Sequence, residues 1–186
     1  IYGSGNYALL NQGENSSLKI SSKNIWLQND TLAHTNYYIM DTVPSAQTVI
    51  SATDNFVAWL DMSVDSEFDL DSMALFGNAK IELSAKNVYI HFENQTEHKT
   101  NAVAFSMDGA ERLSTFGSKD AFIEMFYIDG VQTGFYSDSK LDIYAKQIIF
   151  ELDSERSANG EKAGYGFRLQ RDSTINAEQL VVTGAH

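Results

Sequence analysis

The sequence predicts an all-β parallel solenoid of about six rungs, each of roughly 30 residues and three strands. Two independent repeat markers predict the stacking, and a period-2 hydrophobic pattern supplies the strands. The first marker is a ten-residue pattern at Leu18 to Leu27, Ile81 to Ile90 and Leu141 to Phe150, shortened at Ile175 to Val182. Fainter copies lie at Val49 to Phe56 and Phe116 to Ala121. Its central position falls at Lys23, Asp54, Lys86, Lys119, Lys146 and Glu178, at intervals of 31, 32, 33, 27 and 32 residues. The second marker is a large apolar residue, usually after a small one, at Leu9, Ile39, Leu75, Phe105, Phe135 and Phe167. Its intervals are 30, 36, 30, 30 and 32 residues. The two markers share no residues yet return the same count, and self-similarity at such a period marks a stacked repeat.

Each unit then divides into strands. Leu141, Ile143 and Ala145 alternate with Asp142, Tyr144 and Lys146, and Ile148, Phe150 and Leu152 alternate with Ile149 and Glu151. Such alternation, rich in β-branched and aromatic residues, reads as half-buried strands, and no stretch reads as an amphipathic helix of useful length. The first strand of a unit carries Tyr165, Phe167 and Leu169 in its clearest copy, the second Leu141 and Ile143, the third Ile148 and Phe150. Strands at a constant offset pair in parallel with their counterparts about 4.8 Å away. No rung can bury its apolar face alone, so stability comes from stacking on neighbours. Phe105, Phe135 and Phe167 are therefore expected one above another inside. The position after the first marker reads Asn24, Asn55, Asn87, Asp120, Gln147 and Gln179. This amide-rich corner is either a hydrogen-bonded ladder or a row of ordinary solvated turn residues.

Composition narrows the classes of function. The 186 residues read as one domain, and 43% hydrophobic content can build a core. A net charge of -12 repels phosphate backbones and anionic membranes, so nucleic acid is a poor partner. No run reaches the length of an apolar membrane helix. With no cysteine there is neither a disulfide framework nor a thiolate metal site, which suits a chain that crosses an oxidising compartment. The segment 1–13 lacks the basic and then apolar build of an export signal, so the chain is expected to be mature or cut from something longer.

Units of the form Gly164-Tyr-Gly-Phe-Arg-Leu169 followed by Ser173-Thr-Ile-Asn-Ala-Glu-Gln-Leu-Val-Val182 resemble passenger domains of classical, monomeric autotransporter adhesins of Gram-negative bacteria. The resemblance runs from about Tyr7 to Val182. It implies a right-handed parallel β-helix on the bacterial cell surface or secreted, acting in adhesion, aggregation or biofilm formation. The partner it implies is a host surface protein or glycan, or the same protein on neighbouring cells.

Chemistry-bearing residues are sparse. His34, His91, His98 and His186 fall at no motif spacing, and each reads as a solvated surface residue. His91 and His98 together would make half a zinc site, so no metal is assigned, and no cofactor or catalytic residue either. Asp65, Glu67, Asp69 and Asp71 share one side of an extended run in the longest unit. They form a weak calcium candidate or, as the plainer reading, a solvent face whose charges discourage edge pairing. Lys23, Lys86, Lys119 and Lys146 recur at one corner, as a basic stripe or as corner solubility.

Two sets of contact residues remain. Ala8, Ala74, Ala104, Gly134 and Gly166 form a small-residue column that either packs into a narrow part of the core or, by alternation, faces out as a flat docking strip. Trp26, Tyr38, Trp59, Tyr89 and Tyr144, together with Tyr127, are aromatics expected on the outside, where Tyr and Trp supply large contact area. The expected function is a non-enzymatic adhesin segment binding through the side of the rod. The alternatives are a polysaccharide-active β-helix, lyase or hydrolase, and a pure spacer.

Overall fold

A computed structural model describes residues 9–11, 15–28, 37–41, 46–61, 72–77, 80–93, 101–107, 112–153 and 164–184, with no helix among them. The strands in chain order are β1 (Leu9–Asn11), β2 (Ser17–Gln28), β3 (Tyr37–Asp41), β4 (Gln47–Asp61), β5 (Ser72–Gly77), β6 (Lys80–Ser84) and β7 (Asn87–Glu93). They continue with β8 (Asn101–Met107), β9 (Leu113–Phe116), β10 (Ile123–Val131), β11 (Thr133–Ser137), β12 (Lys140–Leu152), β13 (Tyr165–Leu169) and β14 (Ser173–Thr183).

One strand from each predicted unit enters a six-stranded parallel sheet in the order β1, β3, β5, β8, β11, β13. The other strands of every unit form a second parallel system, so the fold is the β-solenoid the repeat predicted. In four units the predicted second and third strands run on as one long strand, in β2, β4, β12 and β14. The corner between them is a one-residue irregularity in the ladder, as between Ser22 and Asn24. Extended backbone therefore carries straight through it. In the other two units the corner separates β6 from β7 and β9 from β10.

The interior is built from columns. Phe105 stacks on Phe135 with ring centroids 4.6 Å apart and planes 9° apart, and Phe135 stacks on Phe167 at 5.4 Å and 17°. In the third rung Phe76, and not the expected Leu75, takes the position, stacked on Phe105 at 5.1 Å. Leu75 and Phe76 are both fully buried, so apolar character alone could not tell which one held the register. Rings from the other faces close on this column, Phe116 edge-on at 5.2 Å from Phe135 and Phe126 tilted by 43° at 5.8 Å. Offset-parallel and edge-to-face contacts are the favourable ring geometries, each adding about 0.5–1.5 kcal/mol beyond the area buried.

The amide ladder exists across three rungs. Asn55 donates to Asn24 at 2.9 Å, and Asn87 donates to Asn55 at 3.0 Å. At the fourth rung the column passes to Met125, which is in register with Asn87 and Gln147. Asp120 is not in it. The segment after Phe116 leaves the wall at Gly117 (φ +70°) and turns back through a bridge between Ser118 and Ala121, placing Lys119 and Asp120 at an exposed tip. A positive φ suits glycine, which has no Cβ to clash there.

The same insertion changes the neighbouring column of charge. Glu124, whose backbone N–H donates to the Lys86 carbonyl at 2.7 Å, fills the place expected of Lys119. Read along the corner, the residues are Lys23, Asp54, Lys86, Glu124, Lys146 and Glu178, which alternate in sign. Lys23 pairs with Asp54 at 3.5 Å, and Lys146 with Glu124 at 2.8 Å. The hydrogen bond and charge of Glu124 raise the Lys146 ammonium above its usual range. A basic stripe is therefore replaced by alternating charge. Exposed pairs of this kind add little stability each, about 0–1 kcal/mol. A slip of one rung would set like charges against each other, so the column favours the correct register.

Candidate functional site

The small-residue column turns inward. In β8, Ala102, Ala104, Phe105 and Met107 are buried while Val103 and Ser106 are not, so two successive residues, Ala104 and Phe105, both point in. The ladder pairs Thr133 with Val103 and Phe135 with Phe105, with the intervening residues taking no partner in the register. Strict alternation breaks at this bend, and the small residue lies where the wall passes closest to Phe150. A Cβ on Gly134 would stand 2.5 Å from Phe150 Cε1 and 2.7 Å from the Gly166 carbonyl oxygen. Ala104, Gly134 and Gly166 thus serve packing and cannot form a docking strip. Ala74 sits one position off, in register with Val103, and Ala8 lies outside the described residues.

The aromatic candidates divide as well. Tyr144 is 8% exposed, buried beneath Phe122 of the fourth-unit insertion at a ring distance of 5.8 Å, so it offers no surface contact. Tyr38 belongs to β3 of the other sheet. Trp26, Trp59 and Tyr89 come together on the wall formed by the third strand of each unit, and they are 52%, 42% and 39% exposed.

Register explains their convergence. Side chains two apart in a strand share a face, and paired residues stack rung upon rung. One outward column reads Trp26, Val57, Tyr89, Tyr127, Ile149 and Val181. The adjacent one reads Gln28, Trp59, His91, Asp129, Glu151 and Thr183. Val57 is the short residue between the two long ones, Trp26 and Tyr89. A groove of about 430 Å³ results, lined by these three, Trp59, Tyr127 and the His91–Asp129 pair, and what it presents is almost wholly carbon.

Hydrogen bonds fix the edges of the rings. Trp26 Nε1 donates to Gln28 Oε1 at 3.2 Å, and Trp59 Nε1 donates to Glu93 Oε2 at 3.3 Å. The Tyr127 hydroxyl donates to Glu151 Oε2 at 2.8 Å. Burial, this bond and the charges of Asp129 and Glu151 push the Tyr127 phenol above its ordinary range, so it remains a neutral donor. His91 is not the freely solvated residue its isolation in the sequence suggested. Its Nδ1 meets Asp129 Oδ2 at 2.8 Å, and its ring lies 4.1 Å from that of Trp59. The other Asp129 oxygen, Oδ1, is buried with no hydrogen-bond partner.

Asp129 was not among the candidates, and its partner lies 38 residues away in sequence. A signal was present: Val88-Tyr-Ile-His91 and Phe126-Tyr-Ile-Asp129 repeat the same order of inward and outward residues, which sets His91 over Asp129. An imidazole oriented by a carboxylate is part of a catalytic triad, but among the described residues no Ser, Thr, Cys or Lys lines the groove. Among the described residues, no group of three or more His, Asp and Glu could hold a metal ion. The Asp65–Asp71 run, His34, His98 and His186 lie outside the described residues.

The fold thus defines a parallel β-solenoid with one aromatic wall. Comparison with family models, curated proteins and solved structures returned no match, so the functional reading rests on fold and site.

Proposed function

We propose that this chain is a non-enzymatic adhesion segment, displayed on a bacterial cell surface and binding through the side of its solenoid. The observation that carries the reading is the clustering of Trp26, Trp59 and Tyr89, each more than a third exposed, on one flat wall. Clustered exposed aromatics are characteristic of contact surfaces, where Trp and Tyr supply much of the binding energy. A wall that repeats rung by rung also suits weak contacts made many times over, as attachment between a cell and a surface requires. The resemblance of Gly164 to Val182 to autotransporter passengers supports the surface location. A host surface molecule, or the same protein on a neighbouring cell, is the partner class.

Beads or cells coated with the chain should attach and aggregate, and the Trp26→Ala/Trp59→Ala double variant should lose most of that attachment while unfolding at the same temperature. Attachment unchanged by the double variant would defeat the reading of this wall. No attachment from the intact chain would leave the spacer role as the better account.

A further inference from the structure

We propose that the groove over Val57 binds a neutral saccharide, with a pyranose ring lying against Trp26, Trp59 and Tyr89 and its hydroxyls donating to the carboxylates at the rim. This deepens the attachment reading and rests on it.

Size comes first. A groove of about 430 Å³ falls within the range of small-ligand sites, roughly 300–1,000 Å³. Nine residues line it, whereas a stable protein–protein interface takes roughly 20–30 residues a side. The occupant is therefore the size of a sugar ring or a single side chain rather than a protein face.

Charge removes the anionic candidates. Among the described residues no Lys or Arg lines the groove, and the chain carries a net charge of -12, so sulfated or uronate glycans would meet repulsion there. A cationic ligand competes for the same features, with part of each already taken. A cation seeks an aromatic face and a carboxylate. His91 already packs on Trp59 and already holds Asp129.

Surface chemistry then separates a sugar from an apolar side chain. Pyranoses have carbon-bound hydrogens on their faces and hydroxyls around their edges. The groove matches this with the exposed carbon of Trp26, Trp59 and Tyr89 and with Asp129 in its lining. Glu93 and Glu151 are held against its Trp59 and Tyr127, and each of the three carboxylates already takes a donor from Trp59, Tyr127 or His91. Asp129 Oδ1 still lacks a donor, and a turn of the carboxylate would offer it to a ligand hydroxyl. An apolar side chain would cover these oxygens without supplying donors, which carries a desolvation cost. The ring edges are pinned by their own hydrogen bonds, so little side-chain freedom is lost on binding.

The chain contains two tryptophans, Trp26 and Trp59, and both line the groove, so intrinsic fluorescence reports on the site directly. Cellohexaose, chitohexaose and maltohexaose would be titrated as neutral probes, with a heparin hexasaccharide and hexalysine as charged ones. At least one neutral probe should give a saturable change, weakened about tenfold by Tyr89→Ala, the loss of one aromatic anchor. That variant keeps both reporters, and an unchanged unfolding temperature would show that it is folded. The inference is overturned if no neutral probe saturates, if hexalysine or heparin binds more tightly, or if binding survives Tyr89→Ala. Should the tryptophan double variant lose attachment while no neutral sugar binds, the saccharide proposal fails and the attachment reading stands. Sugar binding by a chain that does not attach would uphold the saccharide site and defeat the attachment reading.

Discussion

Phe135→Ala is expected to remove about 3–5 kcal/mol of stability, the range for a large ring deleted from a tight core. Phe135 is fully buried and meets five other rings, those of Phe105, Phe116, Phe126, Phe150 and Phe167, at 4.6 to 6.2 Å. These rings come from three consecutive units, so no single rung can close the cavity by itself. A domain typically holds 5–15 kcal/mol in total, so the loss would be a large share. Because each unit contacts only its neighbours, the damage should be local. Hydrogen exchange is expected to speed up first in 101–107, 133–137 and 165–169. Phe167→Ala should cost less, because Phe167 is only half-buried and, among the described residues, meets two rings, stacked on Phe135 and edge-on to Phe150. Equal losses for the two variants, measured by denaturant unfolding, would contradict a columnar interior.

Gly134→Val is the second large effect. If the small column faced solvent, the change would fall within about 0.5 kcal/mol, as surface substitutions do. Facing inward, the new side chain is forced against the Phe150 ring and the Gly166 carbonyl, and backbone oxygen cannot move aside cheaply. Overpacking of that kind costs about 1–3 kcal/mol, occasionally more. Trimming the obstructing ring with Phe150→Leu should recover part of the loss, so the double variant would be more stable than the sum of the single costs implies. Additive costs, or a neutral Gly134→Val, would return the column to the surface.

These examples also mark what could be read in the sequence. The unit count, the parallel stacking, the phenylalanine column and the first three asparagines of the ladder followed from spacing and period alone. Each depends on equal offsets, and stacking turns equal offsets into contact. Readings failed where an offset was locally broken. Lys119 and Asp120 mimic the marker pair of the other units, but they ride on an insertion, and the true occupants Glu124 and Met125 come five residues later. That insertion also brings Phe122 over Tyr144, which simple alternation had placed outside. Period 2 likewise gave no firm direction for Ala104, Gly134 and Gly166, because the chain bends there and two neighbours both enter the core. The groove was half legible. Its aromatic residues were named, but the pairing of His91 with Asp129 requires the register of two units at once.

Everything depends on one geometric statement: successive units lie directly above one another in register. The outward column Lys19, Val49, Glu82, Thr115, Asp142 and Thr174 runs through all six units. The chain lacks cysteine, so pairs of spin labels can be introduced without background. With one label at Thr174 and the other at Lys19, Val49 or Glu82, the labels stand five, four or three strand spacings apart. Pulsed electron–electron distances of about 24, 19 and 14 Å, falling in that order, are predicted at about 4.8 Å per strand. Distances that did not shorten from Lys19 to Val49 to Glu82 would contradict the stacked fold, and the aromatic wall with it.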